Sequence, residues 1–444
     1  MSDLLSIGAS GVRANQAALA VVSENIANAG VAGYSHRAIT SKEVVSVGAT
    51  GATSGHGVFV TGVSRAADMF KAAAVRASGA DLARTQAGGV WLGRVQSALT
   101  GSALDTRLTA FFNVAKGVAA DPTATAPRAA MLEQAQALAS AFTSTGAALA
   151  TATNELDATA DQAVADLNGL SGALAKVNEG LGRAVPGSAA AANLADQRDS
   201  LLEQMSGLID VNATIDAYGR ATVRAGAGNG ATLVSGGQVA TVSYARNAAG
   251  AVAFGVTSGG ETSVLTPGGG ALGGIVDGAQ KIADTRVALG DMATAFVDGM
   301  NAMQAAGRTL DGTAGAPLFA TGAAPTDITV TLSDPRGLAA AAADEGTRGN
   351  GNFTRLEALR TSAGYERSFT SLVSGNAAAI AARNTVAAAQ TAIHDGALTA
   401  RDSVSGVDLD SEAVDLLRFQ QAYQASSRVI SIAREVFQSL MDIR

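Results

Sequence analysis

The chain has 444 residues, room for about two to four domains at ~100–200 residues each. Hydrophobic residues make up 47% but aromatics only 4%, so the apolar content is mostly alanine and small aliphatics, which suits packed helices more than aromatic-lined ligand pockets. A net charge of −7 with no basic run argues against nucleic acid, no stretch of 18 apolar residues is present to span a membrane, and the lack of cysteine removes disulfides and thiolate metal sites.

Residues 3–28 are predicted to form the first helix. Gly8 and Gly11 weaken it, at about 0.5–1 kcal/mol each relative to alanine. On it Leu5, Gly8, Val12, Asn15, Leu19, Val22 and Ile26 recur at alternating steps of three and four, the spacing of a coiled-coil seam. The segment has no basic region followed by a continuous apolar core, so it does not read as a cleavable secretory signal. Residues 34–47 and 57–63 alternate and carry β-branched side chains, which predicts short strands or ordered loops. Helices follow over 68–99 and 105–119. DPTATAP at 121–127 interrupts them, and Pro127 suits the start of a very long helix reaching Arg183. After PGSAAA at 186–191 comes a helix over 192–208.

The period then changes. From Asp210 to Pro267, apolar residues alternate between glycine-rich turns, which predicts a small β domain inserted into a helical one. Helix returns over 271–306. A loop at 307–326 leads into one strand at 328–332, then helices over 353–374 and 376–402. The last helix starts at Ser411, capped by Asp410 or Ser411, with Glu412 favourable in its first turn. It carries a second seam: Leu416, Phe419, Tyr423, Ser426, Ile430, Ala433, Phe437 and Leu440.

The expected fold is mainly α with a small β domain, in an elongated, nested, multidomain subunit. Residues 1–37 with 404–444 form a terminal coiled-coil domain. Residues 38–210 with 270–403 form a long-helix bundle, and 211–269 form a β insertion, self-contained and dispensable for the fold. Charged residues are 16% of the chain, below the roughly 25% of ordinary globular proteins. A low-charge surface suits a subunit stacked against its own copies, where like charges repeat and repel.

No catalytic, cofactor or metal site is expected, so the chain does not read as an enzyme. His36, His56 and His394 stand at no ligand spacing and read as exposed or loop histidines. GAGNG at 226–230 lacks the Lys-Ser/Thr of a phosphate loop and reads as a hairpin turn. Asp408 and Asp410 fit helix entry. Asp196, Arg198, Asp199 and Glu203 read as a solvated or intersubunit helix face. Trp91 reads as a core anchor between long helices.

SENIANAGVAGYSHR at 23–37 resembles the segment after the first helix of bacterial flagellar axial proteins, with Asn-Ile-Ala-Asn followed by Gly-Tyr. SGVDLDSEAVDLLRFQQAYQASSRVISIAREVFQSLMDIR at 405–444 resembles their C-terminal helix. Within that family, RFQQAYQA, RDSLLEQMSGLIDV at 198–211 and GGIVDGAQKIADTRVALGDMATAF at 273–296 are similar to the hook-associated branch. The resemblance implies a structural subunit at the hook–filament junction of the flagellum, extracellular, exported unfolded by the flagellar type III pathway. It implies as partners further copies of the chain, the hook protein, a second hook-associated junction protein, and a cytosolic chaperone on the C-terminal helix, with no nucleic acid and no membrane. An outer domain of longer members is expected to be absent. The assembly interface is expected at Leu5, Val12, Leu19, Val22, Ile26, Tyr34, Leu416, Phe419, Tyr423, Ile430, Phe437 and Leu440. The alternatives are a hook or distal-rod subunit, or a secreted adhesin or enzyme with flagellin-like ends.

Overall fold

A computed structural model describes residues 2–31, 33–47, 53–226, 230–247 and 250–442. Most of the hairpin turn expected at 226–230, and Arg444, therefore lie outside the described residues. Helix α1 (Ser2–Asn28) leads into an antiparallel ribbon of β1 (Arg37–Val47) and β2 (Thr53–Arg65). The body begins with α2 (Met69–Thr100), capped by the Asp68 carboxylate, and continues through α3 (Leu104–Ala120), α4 (Thr125–Arg183) and α5 (Ala189–Leu208). With 59 residues, α4 is roughly 90 Å long at ~1.5 Å per residue.

Two small antiparallel sheets follow. The first pairs β3 (Val211–Ile215), β4 (Ala221–Ala225), β5 (Thr232–Ser235) and β6 (Gln238–Val239) in chain order. The second pairs β7 (Thr241–Arg246), β8 (Val252–Ser258) and β9 (Glu261–Leu265). Helix α6 (Gly270–Ala306) then returns along the body. Where one strand was expected, two short pairs form: β10 (Gly307–Arg308) with a later β13 (Ala341–Ala342), and β11 (Phe319–Thr321) with β12 (Ile328–Val330). Helices α7 (Gly351–Ala363), α8 (Tyr365–Ser405) and α9 (Leu409–Met441) complete the chain. The break expected near residue 375 instead falls at Gly364, whose φ of 63° is left-handed and ends α7. Gly375 continues inside α8.

The scarce aromatics are concentrated. Phe111, Phe112, Phe142, Phe296, Phe319 and Tyr365 form one cluster with centroids 5.3–6.4 Å apart. Trp91 is buried as expected, against Gly278 of α6. A Cβ on Gly274 would stand 2.6 Å from the Ala87 methyl, so glycine is what brings α2 and α6 this close.

The β insertion is not the self-contained unit expected from sequence. Asn168 of α4 exchanges two hydrogen bonds with the backbone of Val242, at 2.9 and 2.8 Å. Fully buried Asn178 does the same with Ala221 and also donates to Gly236 O. Val223, Val234, Val242 and Phe254 join Leu156, Leu167 and Leu174 of α4 in the same core as the helices. Removing the strands would bare that face of α4, so they are part of the body. Sequence periodicity shows where strands begin, not what their inner face packs upon.

Candidate assembly interface at the chain ends

Helices α1 and α9 lie antiparallel. Gly8 of α1 sits against Ile430 of α9, and a Cβ there would stand 2.8 Å from Ile430 Cγ1. Gly11 faces Ser426 in the same way, and Asn15 donates to Ser426 Oγ at 3.4 Å. The two glycines that weaken α1 as an isolated helix are therefore what its partner packs into.

The contact face is wider than the predicted seam. Val22 is buried, and Val12, Leu19, Leu416, Phe419, Tyr423 and Ile430 are half-buried. Leu5, Ile26 and Phe437 are exposed in the single chain, Phe437 by 55%, so the contact between the two ends leaves much of their surface uncovered. The side chain of Leu440 lies outside the described residues. Ala14, Ala18 and Val21, absent from the predicted seam, are buried because α1 has two partners, α9 and the ribbon. Ser10 Oγ accepts the Val58 N–H at 3.1 Å, tying β2 to α1. A helix covered from two sides buries a broader arc than a two-stranded seam.

A polar hub closes the far end of this pair. Asn25 is fully buried. Its Nδ2 donates to Arg37 O at 2.8 Å and to Glu412 Oε1 at 3.0 Å, and its Oδ1 accepts from Tyr34 Oη at 2.9 Å and Arg37 N at 3.1 Å. His36 Nε2 lies 2.9 Å from the same Glu412 oxygen. Glu412, read from sequence as a first-turn favourable charge, is 3% exposed and joins α9 to α1 and to His36, just before β1. The α9 cap is Asp408, which accepts from Asp410 N, rather than Asp410 or Ser411. His36 is not a bystander, and His394 lies 3.1 Å from Ser78 Oγ of α2.

Arginines fasten the hub to the body. Buried Arg37 reaches Asp196 at 2.6 Å and Asn193 at 2.8 Å on α5. Arg65 of β2 holds Asp196 at 2.5 Å and Asp199 at 2.6 Å. Burial works to lower the Arg65 pKa, but the Asp199 and Asp196 carboxylates outweigh it and raise it. Burial pushes the Tyr34 hydroxyl up, against the pull of the Arg37 guanidinium stacked 4.6 Å from its ring. Arg401 of α8 pairs with Glu203 of α5 at 3.0 Å. The charges on α5 thus form an internal joint, not a solvated face. The i, i+3 and i, i+4 spacing showed that they share a side of α5 and not that arginines from β1, β2 and α8 arrive there.

What the two ends leave uncovered is an apolar surface. Leu4, Leu5 and Ile26 on α1 and Val414, Leu417, Val429, Ile432, Val436 and Phe437 on α9 are all exposed. Among the described residues, no group of three His, Asp or Glu side chains could hold a metal ion, and no helix is long and apolar enough to cross a membrane.

Comparison with known proteins divides the chain along the same lines. Residues 92–319 match the family described as the flagellar hook-associated protein FlgK helical domain. Residues 5–34 match the flagella basal body rod protein family, and 399–443 match the C-terminal region of the flagellar basal body rod FlgEFG proteins. Flagellar hook-associated protein 1 of Salmonella typhimurium is 29% identical over 72% of this chain and 60% of its own length. The chain thus spans about three fifths of that relative. The Escherichia coli protein of the same name is 26% identical over the whole of both chains. In fold, the chain resembles the flagellar hook junction protein FlgK of Burkholderia pseudomallei, with a TM-score of 0.50, 22% identity, and coverage of 56% of this chain and 46% of that one.

Proposed function

The chain belongs to the flagellar hook-associated family whose helical domain it carries, and from that premise we propose that it is a structural subunit of the bacterial flagellum at the junction between hook and filament. The observation that carries this reading is the pair of chain ends, joined to each other and still apolar on the outside. Such a surface is completed by neighbours, here further copies of the chain and the hook protein, with a second hook-associated junction protein seated beyond. Before assembly the bare stripe of α9 is an aggregation hazard, which is the reason for a cytosolic chaperone on it. Export in an unfolded state through the flagellar type III pathway, to the outside of the cell, fits a chain with no cysteine and thinly packed ends. The ends alone would suit a hook or distal-rod subunit equally well. The match across 92–319 favours the hook-associated one.

A deletion strain tests the reading. It should build hooks and shed flagellin monomers into the medium, and the intact gene should restore filaments. Normal filaments in the deletion strain would refute it. Arrest before the hook would move the chain to the rod or hook.

A further inference from the structure

The body holds a cleft of about 630 Å³ between α4, α6 and the loop before β12, far from the chain ends. Its floor is Leu149, Ile282 and Leu289, all buried, and its lip is Val287, 63% exposed. Arg286, Asp291 and Asp327 line it as well. None of these three side chains has an ion pair or hydrogen bond among the described residues. Some other charges of the body are paired within the chain: Arg84 and Arg383 with Asp277, Arg360 with Glu366, and Arg246, which also lines the cleft, with Asp157. The cleft is thus an apolar trough edged by charges of both signs that its own chain leaves unanswered.

One segment of the same chain carries the complement. Met69 and Phe70 open α2, 61% and 81% exposed, and Phe70 is the most exposed aromatic among the described residues. Asp68 precedes them, its carboxylate engaged only with backbone N–H groups of Phe70 and Lys71. Lys71 follows them, its ammonium unpaired. The segment is an apolar knob with a negative charge on one side and a positive charge on the other.

We propose that Met69 and Phe70 of one copy insert into this cleft of a second copy, with Asp68 meeting Arg286 and Lys71 meeting Asp291 or Asp327. The two features cannot meet within one chain. Helices α2 and α6 run parallel, Gly274 beside Ala87 and Gly278 beside Trp91, so the cleft stands level with the end of α2. That is roughly 45 Å from Phe70 at ~1.5 Å per residue. A contact between two different patches is heterologous, and repeating it generates a ring or a helix rather than a closed pair. This rests on the assembly role proposed above and names the surfaces that would carry it within the body.

Since the chain has no cysteine, an engineered pair supplies the only thiols. Full-length chain carrying Phe70→Cys and Val287→Cys is expressed in the deletion strain, and the isolated flagella are oxidised and run without reductant. The expected result is a ladder of chain multimers from the double variant that neither single variant gives. In the same strain, Phe70→Asp should raise the expression level needed for filaments by about tenfold, with the purified chain melting normally. Restored filaments without a ladder, or a cross-link only to a different axial protein, would overturn the knob-and-cleft contact while the junction role stands. Failure of the unaltered chain to restore filaments would overturn the junction role, and this contact with it.

Discussion

The body and the chain ends are both made of long helices, yet only one is finished. In the body, six aromatic rings close on one another and almost every core side chain is covered by its own chain. At the ends, the buried apolar residues of α1 are Ala14, Ala18, Val21 and Val22, two of them alanines that contribute little area, and among the described residues α9 offers only Ala433. Burial stabilises by about 25 cal/mol per Å² of apolar surface, so small side chains leave the α1–α9 pair with little of its own. The hub around Asn25 and Glu412 compensates by direction rather than by area, fixing where the ends sit and leaving their outer faces for others. Stability within the chain and completion by a partner are thus separated along the molecule.

The largest effect that would sharpen this contrast lies in the body. Phe296 is fully buried among five rings, and Phe296→Ala should cost about 3–5 kcal/mol, the loss for a buried phenylalanine. Denaturant unfolding of the purified chain measures it. A loss under about 1 kcal/mol would mean that the cluster is not the body's core.

Next comes the joint. Asp196→Ala leaves Arg37 and Arg65 without their shared carboxylate, and breaking a buried pair on one side costs about 3 kcal/mol. That loss should fall on the ends. Amide exchange should speed up across β1, β2 and α9 while α4 stays protected and the body's melting temperature holds. Uniform acceleration through α4 would show one cooperative unit and erase the distinction.

A smaller effect concerns pH. Burial works to raise the Asp277 carboxyl, but hydrogen bonds from Arg84 and Arg383 outweigh it and hold its pKa below the usual aspartate range. A depressed folded pKa gives stability that is fully present above the unfolded value and is lost as pH falls through the folded one. The stability difference between the natural chain and Asp277→Asn should therefore be present at neutral pH and shrink as pH drops below the ordinary aspartate range. A difference that stays constant through that range would assign Asp277 no role in pinning α2, α6 and α8.

How far the sequence disclosed this arrangement follows the same division. Helix positions were legible because the long helices carry their own period and most end close to a glycine or proline, and Trp91 took its expected role. The break at Gly364 was not legible, since Gly375 looks the same in sequence and only the backbone conformation separates them. The seams showed that the two ends pair, but not that the ribbon adds a third surface, nor that Leu5, Ile26 and Phe437 stay exposed in the single chain. Glu412 and Asp196 were missed because their partners lie at separations of 387 and 159 residues, beyond any local pattern. The Asn-Ile-Ala-Asn and Gly-Tyr signature did mark the spot: Asn25 and Tyr34, two of its residues, hold the hub together.

The smallest expected effect on the fold is the one that matters most for the comparison. Phe437 is exposed and α9 is anchored at its other end by Glu412, so Phe437→Asp removes no contact that the single chain depends on. Surface substitutions of this kind change stability by no more than about 0.5 kcal/mol. The same aspartate in an apolar contact between copies would be buried without a partner, at a cost of several kcal/mol on the general scale for desolvated charge. Ile430→Asp is the control, because Ile430 packs on Gly8 and its loss should loosen α1 from α9 within the monomer. The expected pattern is therefore a split. Phe437→Asp melts normally and fails to support filaments, whereas Ile430→Asp fails in both. If Phe437→Asp supports normal filaments, the outer face of α9 is not a contact between subunits. The exposed residues would then have to be explained within the single chain, which offers them nothing to pack against.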